Sequence, residues 1–252
     1  MLAVTHFDGP QDQPPCLIAH GLYGSARNWG VIAKRLSQSR PVITVDMRNH
    51  GFSPHLATHS YPDLAQDLAD VIGQQDLPCD VIGHSMGGKA SMVLALQHPE
   101  LVRRLVVADI APVEYSHSQM PMIDAMRAVD LTKVTRRSDA AAALAEQGIE
   151  PALQSFFTQS LDVAEQKWRF NLQVLADEMP KIMSFPDISG QFDQPTLFLT
   201  GANSDYVRPE HRPKIKELFP AARFAKLNNA GHWLHADQPK SFLSAVEIFL
   251  SH

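Results

Sequence analysis

A serine between two glycines is the first residue with a recognisable chemical context. Ser85 lies in the segment G-H-S-M-G (83–87), directly after the apolar run 80–83 and before the helix-forming run 90–96. A G-x-S-x-G segment between a strand and a helix is typical of a tight turn that exposes a nucleophilic serine. Glycine permits the close backbone approach of such a turn, and the helix N-terminus favours negative charge beside it. We therefore predict that Ser85 is a nucleophile; the alternative is a structural glycine turn with a solvent-facing serine.

A serine hydroxyl needs a general base, and a carboxylate must orient that base. His232 lies in a late loop, N-A-G-H-W (229–233), after a predicted strand and before the last predicted helix. The chain order serine, acid, histidine places the base in such a loop. We predict that His232 is the base, against the alternative of a capping or surface histidine, and that nearby His235 has no part in the chemistry.

Two aspartates are candidates for the acid. Asp109 ends the apolar run 105–109, and Asp205 follows the later run 196–200. Both runs are predicted strands of one parallel sheet, and ligands bind such sheets at the carboxyl ends of the strands. Either carboxylate can therefore lie beside His232, and the residues alone leave the choice open.

Acyl transfer needs preorganised hydrogen-bond donors for the oxyanion of its tetrahedral intermediate. The backbone N–H of Met86, directly after the predicted nucleophile, is the first candidate, and the second is expected in the loop after an early strand. The apolar run 16–19 leads into H-G-L-Y-G (20–24), which points to the N–H of Leu22. The alternative is an ordinary glycine turn in which His20 has a structural hydrogen bond.

The elements that must position these residues follow an alternating pattern. Apolar, β-branched runs recur along the chain at 16–19, 42–46, 80–83, 105–109, 196–200 and 223–227. Continuous apolar runs of this length are typical of parallel strands covered on both faces, and amphipathic helical patterns lie between them. The alternation predicts an α/β fold with a mostly parallel central sheet flanked by helices.

The segment 112–187 departs from this alternation. It contains predicted helices at 140–146, 152–157 and 166–175 and no clear strand. We expect a helical cap, inserted after the strand that ends at Asp109, within a single domain spanning residues 1–252. A cap over the carboxyl edge of the sheet would shape the substrate pocket. The predicted pocket residues come from the early loop and the cap: His20, Tyr23, Met122, Phe157 and Trp168. The apolar side chains of the cap together favour an acyl chain over a sugar or a phosphate: Met120, Met122, Met126, Phe156, Phe157, Trp168 and Phe170.

Composition excludes several classes of partner. The 27 acidic and 22 basic residues are interspersed and give a net charge of -5, so no basic surface for nucleic acid is expected. No stretch approaches the ~18 apolar residues of a membrane span, and the first eight residues lack the pattern of a secretory signal. We therefore expect a cytoplasmic protein without a membrane partner. The two cysteines, Cys16 and Cys79, each begin an apolar run and are expected to be buried thiols.

A polar segment at 46–54 invites a functional interpretation because it contains Asp, Arg, Asn and His side chains. Its glycine, serine and proline are turn residues, which favours a structural loop beside the Ser85 turn. The spacing of His50, His55 and His59 matches no convincing metal-ligand pattern. We predict neither a metal nor a cofactor.

Five segments together resemble a known family. They are H-G-L-Y-G-S (20–25), V-D-M-R-N-H-G-F-S-P-H (45–55), G-H-S-M-G-G-K (83–89), A-D-I-A-P-V (108–113) and G-H-W-L-H (231–235). The chain resembles the α/β-hydrolase superfamily and, within it, the bacterial esterases related to the abhydrolase-domain protein 11 group. The resemblance implies an α/β-hydrolase fold and favours Asp109, in the D-I-A-P-V run, as the acid.

The resemblance and the residues together predict a serine-dependent carboxylesterase or thioesterase. Its substrate would be a small acyl ester or thioester, with acyl-CoA among the candidates, cleaved through an acyl-enzyme on Ser85. The alternative is a non-hydrolytic lyase, as in menaquinone biosynthesis, that uses the same residues for proton abstraction. A non-catalytic binding protein on this scaffold would be expected to lack Ser85 or His232, and both are present. The acyl chain length, the leaving atom and the oligomeric state are not set by these residues.

Overall fold

The computed structural model describes residues 1–251 and is built on nine strands. In chain order they are β1 (Ala3–Phe7), β2 (Cys16–Ala19), β3 (Val42–Asp46), β4 (Cys79–His84), β5 (Val102–Ala108), β6 (Leu161–Asp162), β7 (Lys167–Trp168), β8 (Thr196–Gly201) and β9 (Ala222–Leu227). Seven form the central sheet in the order β1-β3-β2-β4-β5-β8-β9, and β6 pairs only with β7. All pairs in the large sheet are parallel except β1 with β3. The predicted α/β architecture with a mostly parallel sheet is confirmed.

The six predicted strands are present with shifts of a few residues at their ends, whereas β1 was not predicted. Strands β2, β3 and β4 are buried along their whole length, as expected for strands covered on both faces. Strand β1 lies at the edge of the sheet and is mostly exposed, so it lacks the apolar run that marks the others.

Eleven α-helices accompany the strands within residues 1–251. They are α1 (Gly30–Leu36), α2 (Tyr61–Ile72), α3 (Met86–Gln97), α4 (Met120–Ala128), α5 (Arg137–Glu146), α6 (Pro151–Thr158), α7 (Leu172–Asp177), α8 (Met179–Met183), α9 (Arg212–Leu218), α10 (Leu234–Asp237) and α11 (Pro239–Ser251). Helices α2, α3 and α9 contribute to one buried cluster with the sheet, and α1 and α11 contribute to another. The sheet is therefore covered on both faces.

Helices α4 to α8 lie between β5 and β8 in the chain and share a third buried cluster. Two predictions for this segment are wrong. Residues 166–175 are not one helix, because β7 occupies 167–168 and Gln166 has a φ of +49° in the turn before it. The prediction of no strand also fails, since β6 and β7 form a short hairpin. Helix α7 begins after Asn171, whose side chain accepts a hydrogen bond from the N–H of Val174 at 3.5 Å.

Both cysteines are buried free thiols. Within residues 1–251, no helix combines the length and apolar character needed to cross a membrane. The same part of the chain contains no group of three or more His, Cys, Asp or Glu side chains placed to hold a metal ion.

Candidate active site

Ser85 occupies a strained turn between β4 and α3. Its φ of +52° and ψ of -119° lie in a region that side-chain-bearing residues rarely adopt. Two backbone hydrogen bonds hold it there: its N–H donates to Ala108 O at 3.1 Å, and its carbonyl oxygen accepts from the N–H of Lys89 at 3.0 Å. A Cβ at Gly87 would overlap the carbonyl oxygens of Ala19, the last residue of β2, and His20, so the turn requires glycine there. The structure thus contains the turn that the sequence predicts.

A continuous chain of hydrogen bonds joins Ser85 to His232 and Asp109. The Nε2 atom of His232 lies 3.0 Å from Ser85 Oγ, and its Nδ1 atom lies 2.8 Å from Asp109 Oδ2. An ionised carboxylate only accepts hydrogen bonds, so Nδ1 carries the proton and Nε2 is free to accept from the serine hydroxyl. This is the arrangement that activates a serine.

The carboxylate beside His232 is that of Asp109, which directly follows β5 and has a φ of +53°. Its carboxylate is fully buried and also accepts the N–H of Gly201 at 3.1 Å and the hydroxyl of Ser204 at 2.5 Å. Three donors offset the cost of burying this charge. Asp205 is exposed and, within residues 1–251, makes no hydrogen bond to His232.

The contribution of Ser204 to the site was not predicted from the sequence. The available signal was a hydroxyl in the loop after β8, one residue before Asp205.

Aromatic rings hold the His232 imidazole on two sides. The Tyr206 ring stacks on it with a centroid distance of 3.9 Å, and the His84 ring lies 4.8 Å away. His84 is buried and donates from Nε2 to the carbonyl oxygen of His232 at 2.8 Å. The pKa of His84 lies well below its ordinary value, mainly because the ring is buried and to a smaller extent because His232 and His235 are near it. A neutral His84 therefore supports the backbone of the His232 loop.

His235 also lies beside the site, next to the same cavity as His84 and His232. Its ring stacks on Trp29 at 4.0 Å, and burial lowers its pKa to about 3. It has no contact with the Ser85 hydroxyl among the hydrogen bonds of the described residues.

Two residues beside Ser85 have backbone N–H groups without an acceptor among the described residues. The N–H of Leu22 and the N–H of Met86 donate to no other group within residues 1–251, and both residues line the cavity beside Ser85. The loop after β2 and the start of α3 place them there, because β2 and β4 are neighbours in the sheet. The geometry leaves both predicted oxyanion donors without a competing acceptor.

The polar segment 46–54 is a structural loop. The Asp46 carboxylate accepts the N–H of Ala26 at 2.7 Å and the N–H of Phe52 at 2.9 Å. Arg48 pairs with Asp67 at 2.6 Å. The contacts of these side chains stabilise the loop against neighbouring segments.

A cavity of about 380 Å³ opens beside Ser85. That volume lies in the range of about 300–1,000 Å³ typical of small-molecule sites. All the predicted site residues contact it except Asp109, Asp205 and Trp168: the lining includes His20, Leu22, Tyr23, Ser85, Met86, Met122, Phe157 and His232. Phe156, a predicted aromatic residue of the cap, also lines the cavity, whereas Tyr61, Lys89, Ile182 and Met183 line it without having been predicted.

The prediction that Trp168 lines the pocket is wrong. Its side chain is only 8% exposed and packs in the buried cluster of the cap. The indole N–H donates to the carbonyl oxygen of Met126 at 2.9 Å. A buried indole needs such an acceptor, and this one holds the ring inside the cap, away from the cavity.

Lys89 links α3 to the end of the cap. It lies one turn after Ser85, is 1% exposed, and donates from Nζ to the carbonyl oxygens of Met183 at 3.0 Å and Ser184 at 2.5 Å. The ammonium also lies 4.8 Å from the centre of the Tyr115 ring. Burial lowers the pKa of Lys89 to about 7.

Comparison with known proteins gives consistent matches over most of the chain. The model of the alpha/beta hydrolase family matches residues 16–245. The sn-1-specific diacylglycerol lipase ABHD11 of Mus musculus is 42% identical over 264 residues, covering 99% of this chain and 85% of the mouse protein. Esterase YbfF of Escherichia coli K12 is 39% identical over 239 residues, covering 94% of this chain and 93% of the bacterial protein. A solved structure of a marine microorganism esterase superposes with a TM-score of 0.93 at 36% identity, covering 98% of each chain.

Proposed function

The chain belongs to the alpha/beta hydrolase family, and we propose that it is a serine esterase that forms an acyl-enzyme on Ser85. One observation carries the proposal: the unbroken hydrogen-bond chain from Ser85 Oγ through His232 to the Asp109 carboxylate, at the wall of a cavity. The two relatives named as a lipase and an esterase support the same class of reaction.

In the first half of the proposed reaction, Ser85 Oγ attacks the carbonyl carbon of the ester. His232 Nε2 takes the hydroxyl proton, and Asp109 stabilises the imidazolium that results. The carbonyl oxygen becomes an oxyanion, which the N–H groups of Leu22 and Met86 bind. His232 then gives its proton to the leaving oxygen as the carbon–oxygen bond breaks, and the acyl group remains on Ser85.

In the second half, water replaces the alcohol. His232 removes a proton from the water as its oxygen attacks the acyl carbon, and the same two N–H groups bind the second oxyanion. The proton returns to Ser85 Oγ as the carboxylic acid leaves. Atoms and charge balance without a cofactor.

The cavity favours an apolar acyl group. Its walls include four apolar residues of the cap: Met122, Phe156, Phe157 and Ile182. Apolar walls with a few polar groups at the reacting centre are typical of sites for small apolar ligands. A thioester, acyl-CoA included, would follow the same steps with sulfur as the leaving atom.

The proposal is tested with p-nitrophenyl esters from acetyl to palmitoyl, alongside the matching acyl-CoA thioesters. We expect the wild type to hydrolyse esters and Ser85→Ala to lose turnover by several orders of magnitude. Ser160→Ala is the matched control, because Ser160 is a buried serine of the cap that does not line the cavity. Hydrolysis of none of these compounds by the wild type would contradict the esterase proposal and favour the lyase. Equal loss in both variants would show that Ser85 has no special role.

A further inference from the structure

The loop from Gly21 to Gly24 presents the N–H of Leu22 only while the peptide between Gly21 and Leu22 keeps its orientation. A trans peptide is planar, so its C=O and N–H point in opposite directions. Whatever fixes the carbonyl of Gly21 therefore fixes the N–H of Leu22. Gly21 O accepts the N–H of Gly24 at 3.0 Å and contacts Nδ1 of His20 at 2.7 Å.

The peptide on the other side of Leu22 is held by a second histidine. The N–H of Tyr23 donates to Nε2 of His50 at 3.1 Å. Tyr23 has a φ of +60°, a strained conformation for a bulky residue that persists only where the surroundings impose it. The bond to His50 is one such constraint, and the bond from the Tyr23 hydroxyl to the carbonyl oxygen of Gln119, at 3.1 Å, is another.

Both histidines have their tautomer fixed by backbone groups. His20 accepts the N–H of Met47 at Nε2, at 2.9 Å, so its Nδ1 carries the proton donated to Gly21 O. His50 donates from Nδ1 to the carbonyl oxygen of Arg48 at 2.9 Å, so its Nε2 is free to accept from Tyr23. A neutral imidazole has one donor and one acceptor, and here all four ring nitrogens are used.

The environment keeps the two rings neutral. His20 is 1% exposed and His50 is fully buried, with their ring centroids 5.2 Å apart. Burial lowers the pKa of His20 to about 4 and that of His50, which also faces His20, to about 3. At neutral pH neither ring carries the charge that would disrupt this hydrogen-bond pattern.

We propose that His20 and His50 are positioning residues that lock the two peptides flanking Leu22, so that the Leu22 N–H faces the reacting carbonyl. The inference rests on the proposed function, because it takes Leu22 as an oxyanion donor. The ring nitrogens of both histidines bond backbone groups and not the reacting atoms, so both histidines act by orienting the backbone around Leu22. The segment 46–54 thereby contributes to catalysis through His50, although it is a structural loop.

The test compares His50→Leu, which removes the acceptor, with His50→Gln, whose amide oxygen reaches about as far as Nε2. The steady-state kcat and KM for p-nitrophenyl butyrate are measured, together with the affinity for an aryl trifluoromethyl ketone, whose adduct with Ser85 carries an oxyanion. Losing one oxyanion donor costs about 10²- to 10³-fold in kcat, so a donor left misoriented part of the time should cost about 10- to 100-fold. We expect that loss in His50→Leu, with KM within about threefold of wild type, an equal loss of inhibitor affinity, and recovery of most of both in His50→Gln.

His211→Leu is the matched control. His211 is also buried, and its Nδ1 accepts the backbone N–H of Arg208 at 3.3 Å, but it does not line the cavity. We expect its kcat to stay near the wild-type value. A second pair, His20→Leu and His20→Asn, should behave like the His50 pair, since asparagine retains a donor near the position of Nδ1.

Two kinetic results would overturn the inference: a kcat loss in His50→Leu no larger than in His211→Leu, or a kcat loss without loss of inhibitor affinity. If His50→Leu does not fold, His50→Asn replaces it, because its amide is polar but too short to reach Tyr23. A crystal structure of the variant reports the orientation of the Gly21–Leu22 peptide without any turnover. A wild type inactive on esters would overturn the proposed function, whereas an unchanged peptide in the variant would overturn only the positioning role.

Discussion

Replacing Asp109 by asparagine tests the assignment of the acid with almost no change in shape. The carboxylate accepts three hydrogen bonds, from His232, Gly201 and Ser204. An asparagine oxygen retains the bond at Oδ1 with Gly201, but its NH₂ group then faces Nδ1 of His232 and the Ser204 hydroxyl. The amide donates where the carboxylate accepted.

The expected magnitude distinguishes two effects of this change. Loss of a charge-assisted hydrogen bond alone is worth about 1.5–3 kcal/mol, or roughly 10- to 150-fold in rate. An NH₂ group facing Nδ1 also reverses the tautomer of His232, so Nε2 carries the proton and cannot accept another from Ser85. In serine proteases this reversal costs about 10⁴ in kcat, which corresponds to about 5 kcal/mol. We expect the larger figure for Asp109→Asn.

The assay is steady-state hydrolysis of p-nitrophenyl butyrate, with thermal unfolding measured on the same samples. Asp205→Asn is the matched control, because Asp205 is exposed and lies in the loop of Ser204 without a bond to His232. We expect its kcat/KM to stay within about twofold of wild type. Retention of more than a tenth of the wild-type kcat by Asp109→Asn, or an equal loss in Asp205→Asn, would refute the reasoning.

Three further predictions concern the surroundings of the site. Ser204→Ala removes a hydroxyl donor to the Asp109 carboxylate, and we expect kcat for p-nitrophenyl butyrate to fall about tenfold, the effect of one charge-assisted hydrogen bond at the lower end of its range; an unchanged kcat would show that the hydroxyl is dispensable. Lys89 has a pKa of about 7 when folded and 10.5 as a free side chain, so between these values the unfolded chain binds more protons and the free energy of unfolding should rise with pH. The free energy of unfolding is measured by urea for wild type and for Lys89→Met, and the difference between the two should rise with pH by no more than about 1.4 kcal/mol per pH unit. A difference that falls with pH would contradict this prediction. Trp168→Phe loses the hydrogen bond to Met126 O, and we expect the free energy of unfolding to fall by about 1 kcal/mol with kcat/KM nearly unchanged. A large change in acyl-chain preference would show instead that Trp168 contacts the substrate in the cavity.

The sequence was most informative where chemistry and local structure coincide. Ser85 and His232 were recognisable because a strand precedes each loop and a helix follows it, and the structure places their side chains 3.0 Å apart. The acid could not be chosen from the residues, since β5 and β8 end at the same edge of the sheet. What separates Asp109 from Asp205 is a φ of +53° and a set of three donors, neither of which leaves a pattern in the sequence.

The cap was less predictable because its elements are short and pack on one another. Trp168 was assigned to the pocket by its apolar character, but an indole serves a core or a cavity equally well until its N–H has a partner. The wrong helix at 166–175 had a usable signal: Asn171 is a favoured N-cap residue, and α7 begins directly after it. The roles of His50 and Ser204 depend on contacts between distant segments, which periodicity does not report.

The proposed reaction requires that Ser85 is a nucleophile activated by His232. Labelling with a fluorophosphonate, followed by mass spectrometry of the digested protein, tests it most directly, because the reagent reacts with an activated serine and not with an ordinary one. We predict one label per chain on Ser85 in the wild type, and labelling slowed by orders of magnitude in His232→Ala, although Ser85 is still present. A label on another residue, or labelling of Ser85 at the same rate without His232, would show that His232 does not activate Ser85 as a nucleophile.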